Sequence, residues 1–109
     1  MASVYKVLGQ INPSATTEVA LYTVPALKSS VCSSIVICNR NTSEATFRVS
    51  ISQGGAVTSN KDYMYYDVAI AGNDTFIATI GLTLAATDVV RVYSSSGFLS
   101  FQLFGSEIS

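Results

Sequence analysis

The sequence predicts an all-β domain: a single β-sandwich, jelly-roll or immunoglobulin-like, of about eight antiparallel strands with an N-terminal arm. Three observations predict it. Apolar and polar residues alternate with a period of two through most of the chain, the mark of strands with one buried face. Turn residues break the pattern at intervals of roughly 8–15 residues, the spacing of short strands in a sandwich. No stretch carries the 3.6-residue period of an amphipathic helix. The 109 residues make one domain, because at 11.5 kDa area scaling gives roughly 5,800 Å² of folded surface against about 16,700 Å² unfolded. That burial supports one core, and dividing the chain would leave neither half with enough.

Residues 1–16 are expected to be an N-terminal arm or a first strand, and residues 17–109 the sandwich. Residues 4–8 have strand composition, but Asn12-Pro13-Ser14 sets them apart from the rest of the chain. Residues 17–24 read as a strand that Pro25 ends, since proline cannot donate to a ladder. Residues 33–39 hold the apolar run Ile35-Val36-Ile37-Cys38, which fits a strand buried on both faces or covered by a partner. Asn39 to Thr42 is a turn. In the next strand Ala45, Phe47, Val49 and Ile51 face in, and Thr46, Arg48, Ser50 and Ser52 face out.

Residues 53–60 form the longest loop, with Gly54-Gly55 as its flexible point. Met64, Tyr66, Val68 and Ile70 are expected as the next inward row. Ala71 to Asp74 reverses the chain. Phe76, Ala78, Ile80, Leu82 and Leu84 then face in against an outward row containing Ile77. After a turn over residues 85–88, Val90 and Val92 point in and Arg91 out. A reversal at residues 94–97 leads to the last inward row, Leu99, Phe101 and Leu103.

The composition argues for adhesion and against chemistry. Only 12% of residues are charged, about half of the ~25% usual in soluble domains, while 49% are apolar and mean hydropathy is +0.41. Sixteen serines and ten threonines supply the polarity. So little charge keeps copies apart weakly, and a surface covered by neighbours explains the balance. Net charge is −1, and Lys6, Lys28, Arg40, Arg48, Lys61 and Arg91 are scattered. Nucleic acid, which needs clustered cations, is therefore not an expected partner. No apolar run approaches the ~18 residues of a membrane span, and no secretory signal opens the chain. Synthesis in a cytoplasm is the expectation.

No enzyme activity is expected. There is no histidine, which removes the commonest general base and transition-metal ligand. Lys28-Ser29-Ser30 is the one Ser–Lys candidate, and it reads as a solvated turn. Asp62 and Asp67, five apart, point to opposite faces of an extended strand. Asp74 and Asp88 bracket a strand whose ends lie about 45 Å apart, beyond any glycosidase spacing; both read as turn residues. No catalytic residue, metal or cofactor is implied. Cys32 and Cys38 fall on one face of a continuous strand with Cα atoms roughly 20 Å apart, so an intrachain bridge is not expected. Buried free thiols are expected, with an interchain disulfide as the alternative.

The remaining signal lies in outward apolar residues. Alternation puts Tyr65, Ile77 and Tyr93 outside, while Tyr5 and Tyr22 lie on strands of ambiguous facing. Large rigid side chains of this kind suit protein interfaces, and tyrosines also suit sugar stacking. Tyr5, Tyr22, Tyr65, Ile77 and Tyr93 are thus the interface candidates, with a carbohydrate as a second possible partner through Tyr65 and Tyr93.

The stretches Leu21 to Ala26, Ser33 to Asn39 and Ala45 to Val49 resemble a module of tailed-phage virion proteins, especially those of cyanophages and other marine phages. Leu21-Tyr22-Thr23-Val24-Pro25-Ala26 is followed by Ser33-Ser34-Ile35-Val36-Ile37-Cys38-Asn39 and by Ala45-Thr46-Phe47-Arg48-Val49. Asp67 to Ile70, Asn73 to Thr75, Gly81 to Leu84 and Asp88 to Tyr93 continue the likeness, which spans residues 17–107. Leu27 departs from the module's usual "VPAGK", in which a glycine makes a tight turn. The resemblance implies a structural virion protein: a capsid cement or decoration subunit reinforcing the lattice as a homo-oligomer against the major capsid protein. Its alternative is a neck, baseplate or tail-fibre subunit. It implies no active-site residues.

Overall fold

The computed structural model describes residues 2–109; Met1, the first residue of the expected arm, lies outside them. Eight strands follow one another: β1 Ser3–Ile11, β2 Thr17–Thr23, β3 Ser29–Asn39, β4 Ala45–Ser52, β5 Tyr63–Ile70, β6 Thr75–Leu84, β7 Val89–Ser94 and β8 Leu99–Ile108. The only helical turns among the described residues are two 3₁₀ pieces, Gln53–Gly55 and Asn60–Asp62, both between β4 and β5.

The topology is that of one long antiparallel ribbon rolled up. β4 pairs with β5 at the ribbon's tip, β3 with β6, β2 with β7, and β1 with β8 at its open end. Rolling adds the β3–β8 and β4–β7 pairs and yields two four-stranded sheets, β1-β8-β3-β6 and β2-β7-β4-β5. This order is the jelly roll, one of the two sandwiches that the strand spacing allowed. The sheet β1-β8-β3-β6 is called sheet I below and its companion sheet II.

Inward rows of the two sheets form the core. Phe47 sits at its centre with ring centroids 5.0 Å from Phe76, 6.0 Å from Tyr65 and 6.4 Å from Phe101. Ile35, Ile37, Leu99 and Leu103 are fully buried around it. The alternation expected for β4, β6, β7 and the start of β8 is the alternation observed.

Bulges account for two departures. In β5, Val49 pairs with Tyr65 and Phe47 with Val68, so two residues, Tyr66 and Asp67, oppose Arg48 alone; Asp67 takes a φ of 51° to make this possible. The bulge turns Tyr65 inward and Tyr66 outward, the reverse of the expected rows. In β3 the register shifts between Cys32 and Ser34. Cys32 therefore faces the core, fully buried, whereas Cys38 faces outward and is half-buried. The two cysteines lie on opposite faces, not on one. Burial pushes the Cys32 thiol up to about 11.

Turn chemistry closes both ends of the roll. Leu27 occupies the glycine-like position of its turn with a φ of 66°, its side chain almost wholly in solvent, and Lys28 N–H donates to Pro25 O. The tight turn is thus kept without the glycine. Asp88 accepts from Ala85 N at 2.9 Å and from Gly54 N at 2.8 Å, tying two loops at one end. At the other end Arg40 donates to Asn12 Oδ1 at 2.8 Å, and Asn12 Nδ2 donates to Gly97 O and Leu99 O. The segment around Pro13 is fastened there, and residues 3–11 run on as the outer strand of sheet I.

Residues 53–62 do not form the open loop that Gly54-Gly55 suggests. They fold back over the outer face of sheet II, where Arg91 donates to Ser52 Oγ, Ala56 O and Gly55 O at 2.6, 2.6 and 3.3 Å. Ser50 and Ser52 face outward, as expected, yet are buried beneath this loop. Arg91→Met keeps the side-chain bulk and removes the donors. It is expected to raise amide hydrogen exchange at least tenfold across residues 53–62 while β3 and β8 stay protected. Unchanged exchange there would mean that the loop's own turns hold it.

Candidate functional interface

The two outer faces differ in charge. On sheet II, Glu18, Tyr93 and Arg48 form one outward row, and Ala20, Arg91, Ser50 and Tyr63 the next. Arg48 binds Asp67 through Nε at 2.6 Å and lies over the rings of Tyr66 and Tyr93, its guanidinium carbon 4.3 Å from each centroid. The hydrogen bond to Asp67 raises the Arg48 pKa further, so this cation is permanent.

Sheet I has no charged side chain in its outward rows among the described residues. Register places Tyr5, Ser106, Val31 and Thr83 in one row, then Val7, Phe104, Ser34 and Thr79. Gln10, Gln102, Val36 and Ile77 form the third row, and Ser100, Cys38 and Thr75 complete the face. Tyr5 is 84% exposed and Ile77 67%. A shallow trough of about 500 Å³ runs along β8, floored by Phe104, Gly105 and Ser106 and walled by Tyr5, Val7, Val31 and Ser33. Gly105 is required in its floor, because a Cβ there would stand 2.1 Å from Val31 O where β3 bulges against β8. Lys6 borders the trough, but its ammonium turns to Glu107 at 3.1 Å.

Glu107 belongs to the second polar cluster, at the open end between the sheets. Its side chain is 7% exposed. Tyr22 donates to its Oε2 at 2.7 Å, and Ser30 Oγ lies 2.5 Å from Tyr22 Oη. With the Tyr22 proton committed to the carboxylate, Ser30 is the donor to Tyr22. Lys28 Nζ stands 4.0 Å from Oε1. The Tyr22 hydrogen bond and the Lys6 ammonium hold the Glu107 carboxyl below the usual range, and burial drives the Tyr22 hydroxyl upward. Ser30 and Lys28, the residues of the Ser–Lys candidate, are both engaged in this network.

The interface candidates from the sequence divide accordingly. Tyr5 and Ile77 lie exposed on the outer face of sheet I. Tyr93 is outward on sheet II but half-covered by Arg48. Tyr22 is buried and hydrogen-bonded, so it is a core residue. Tyr65 packs against Phe47 and Phe76 on the inside of the β5 bulge. The Tyr65–Tyr93 stacking platform is therefore not formed. Val7, Val31 and Phe104 were missed. Phe104 is out of phase with the buried Phe101 and Leu103, a signal that was present; Val7 and Val31 needed the strand order.

No protein-family model and no curated protein sequence matches this chain. Among solved structures it is similar to a chain of infectious bursal disease virus Gx strain, with a TM-score of 0.56 and 10% identity over 97% of this chain and 32% of that one. It is also similar to a chain of the T13 particle of that virus, with a TM-score of 0.55, 11% identity, and coverage of 97% and 29%. A third is a chain of the virus's VP2 subviral particle, with a TM-score of 0.55, 11% identity, and coverage of 97% and 31%. This chain thus spans about three-tenths of those proteins, and the likeness is one of fold.

Proposed function

We propose that this protein is a structural subunit of a virus particle, held in place by protein–protein contacts through the outer face of sheet I. The observation that carries the reading is the uncharged outer face itself, with Tyr5, Val7, Val31, Phe104 and Ile77 standing among Ser, Thr and Gln. Fully buried interface centres are depleted of charge and enriched in aromatics in the same way. Its similarity in fold to chains of a virus particle agrees with that use. The finer reading rests on the phage resemblance: a cement or decoration subunit of a tailed phage that reinforces the capsid lattice. Weak contacts repeated over a symmetric shell give avidity without a strong single site. No catalytic role is proposed, and the subunit reaches the virion after synthesis in the host cytoplasm.

The test is cosedimentation with capsids and the copy number per purified virion. Hundreds of copies are expected; a dozen or fewer would transfer the subunit to the neck, baseplate or tail. Tyr5→Lys combined with Val31→Lys changes two exposed positions and is expected to leave the melting temperature within about 2 °C. It is also expected to weaken capsid binding at least tenfold, because each ammonium must be desolvated. Undiminished binding by this variant would sink the sheet I reading.

A further inference from the structure

The two sides of the sandwich are closed to different degrees. On the β1/β2 side the sheets meet backbone to backbone: a Cβ on Gly9 would lie 2.2 Å from Leu21 O, and Leu8, Leu21 and Tyr22 are buried. On the β5/β6 side the core-facing residues stay half-buried. Phe76, Ala78, Ile80 and Leu82 of β6 all face the core, and none is fully covered.

The edge strand on this open side also lacks charge and proline. Proteins blunt sheet edges with charges, prolines or bulges. β1 carries Lys6 and a register shift, β2 carries Glu18 and a shift, and β5 carries Asp67 and two shifts. β6 is ten residues long, Thr-Phe-Ile-Ala-Thr-Ile-Gly-Leu-Thr-Leu, without a charge or a proline; its register against β3 shifts once, between Leu82 and Thr79, but buried and exposed residues keep alternating through the shift. Its backbone pairs with β3 on one side only.

We infer that β6 is a self-association edge, at which a second copy of this chain adds its own β6 antiparallel to form one continuous eight-stranded sheet. Three considerations select a second copy. A two-fold axis normal to the sheet matches the donor and acceptor pattern of an antiparallel edge with itself. Like meets like here without charge repulsion, whereas self-pairing through β1, β2 or β5 would bring Lys6, Glu18 or Asp67 against its own kind. The area also suffices: a ten-residue strand is about 33 Å long, and across the thickness of the sandwich this buries roughly 600 Å² per copy, the lower end of the range for specific interfaces. The pairing would cover the half-exposed core row as well. The inference goes beyond the virion reading and stands or falls without it.

The axis keeps outward residues opposite outward residues, so the pairing centres on a residue near the middle of β6. Centred at Thr79, it sets Thr79 against Thr79; centred at Ile80, it sets Thr79 against Gly81. In both cases two lysines introduced at position 79 come within about 5–8 Å of each other. Thr79 is exposed, so Thr79→Lys and Thr79→Asp are mild changes in the monomer. Sedimentation equilibrium of the purified chain between about 1 and 200 μM is expected to show a monomer–dimer equilibrium with Kd in the micromolar range. Each variant alone should associate at least tenfold more weakly, and an equimolar mixture of the two should recover the dimer. A wild-type chain that is monomeric throughout overturns the inference, whatever other protein binds β6. Dimerisation unaffected by Thr79→Lys, or lost on Tyr5→Lys instead, also overturns it by placing the contact elsewhere.

Discussion

Replacing Phe47 with alanine is expected to cost about 3–5 kcal/mol, the range for emptying an aromatic site in a well-packed core. Phe47 is fully buried and contacts three other rings drawn from both sheets: Tyr65 on β5, Phe76 on β6 and Phe101 on β8. Tilted and edge-on ring pairs add to the area term, and no neighbour is positioned to fill the gap, since Ile35, Leu99 and Leu103 are themselves locked at zero exposure. A domain of this size holds roughly 5–15 kcal/mol in total. The melting temperature should therefore fall by roughly 15 °C or more. Ile77→Ser, at an exposed position on a neighbouring strand, is the control and should change stability by less than about 0.5 kcal/mol. Thermal melts that place the two variants within 3 °C of each other would refute the assignment of Phe47 to the centre of the core.

That centre was readable in the sequence because β4 alternates without interruption, and a two-residue period fixes which side chains meet between the sheets. The same rule read β6 and β7 correctly. It failed on β5, where one inserted residue swaps the faces of Tyr65 and Tyr66 before a second shift restores the phase at Tyr63; Asp67, in a left-handed conformation that an aspartate tolerates, gave no sequence signal strong enough to mark the break. It failed in a milder way on Ser50 and Ser52, which face outward but are roofed by a loop that Arg91 holds down. Long-range side-chain hydrogen bonds of this kind leave no local pattern.

The candidate interface was half legible for a related reason. Exposure of Ile77 comes from alternation alone, but the uncharged face of sheet I is a property of four strands at once. It exists because β1, β8, β3 and β6, far apart in the chain, lie side by side in that order. Low overall charge announced that such a face should exist, and the rolled ribbon decides where. The charges are thereby confined to sheet II, the loops and the open end between the sheets.

The open end yields the second large effect. Glu107→Ala is expected to cost about 2–4 kcal/mol, because it leaves the buried Tyr22 hydroxyl without its acceptor and the Lys6 ammonium without its partner. Glu107→Gln keeps the shape and removes the charge, so it isolates the pH dependence. The folded carboxyl is held below its ordinary value, chiefly by the Tyr22 hydrogen bond and then by Lys6. A depressed carboxylate stabilises the fold fully above its unfolded pKa of about 4.3, and that contribution disappears as pH falls through the lower folded value. Urea melts of the wild type and Glu107→Gln should therefore differ by a constant amount from pH 8 to about pH 5 and converge below about pH 4. Tyr22→Phe removes the main cause of the depression, so its acid loss, which starts from the same unfolded pKa, should be smaller than the wild type's and should finish at a higher pH. A gap between wild type and Glu107→Gln that persists undiminished to pH 2 would show that Glu107 stabilises this end by shape and packing rather than by its charge.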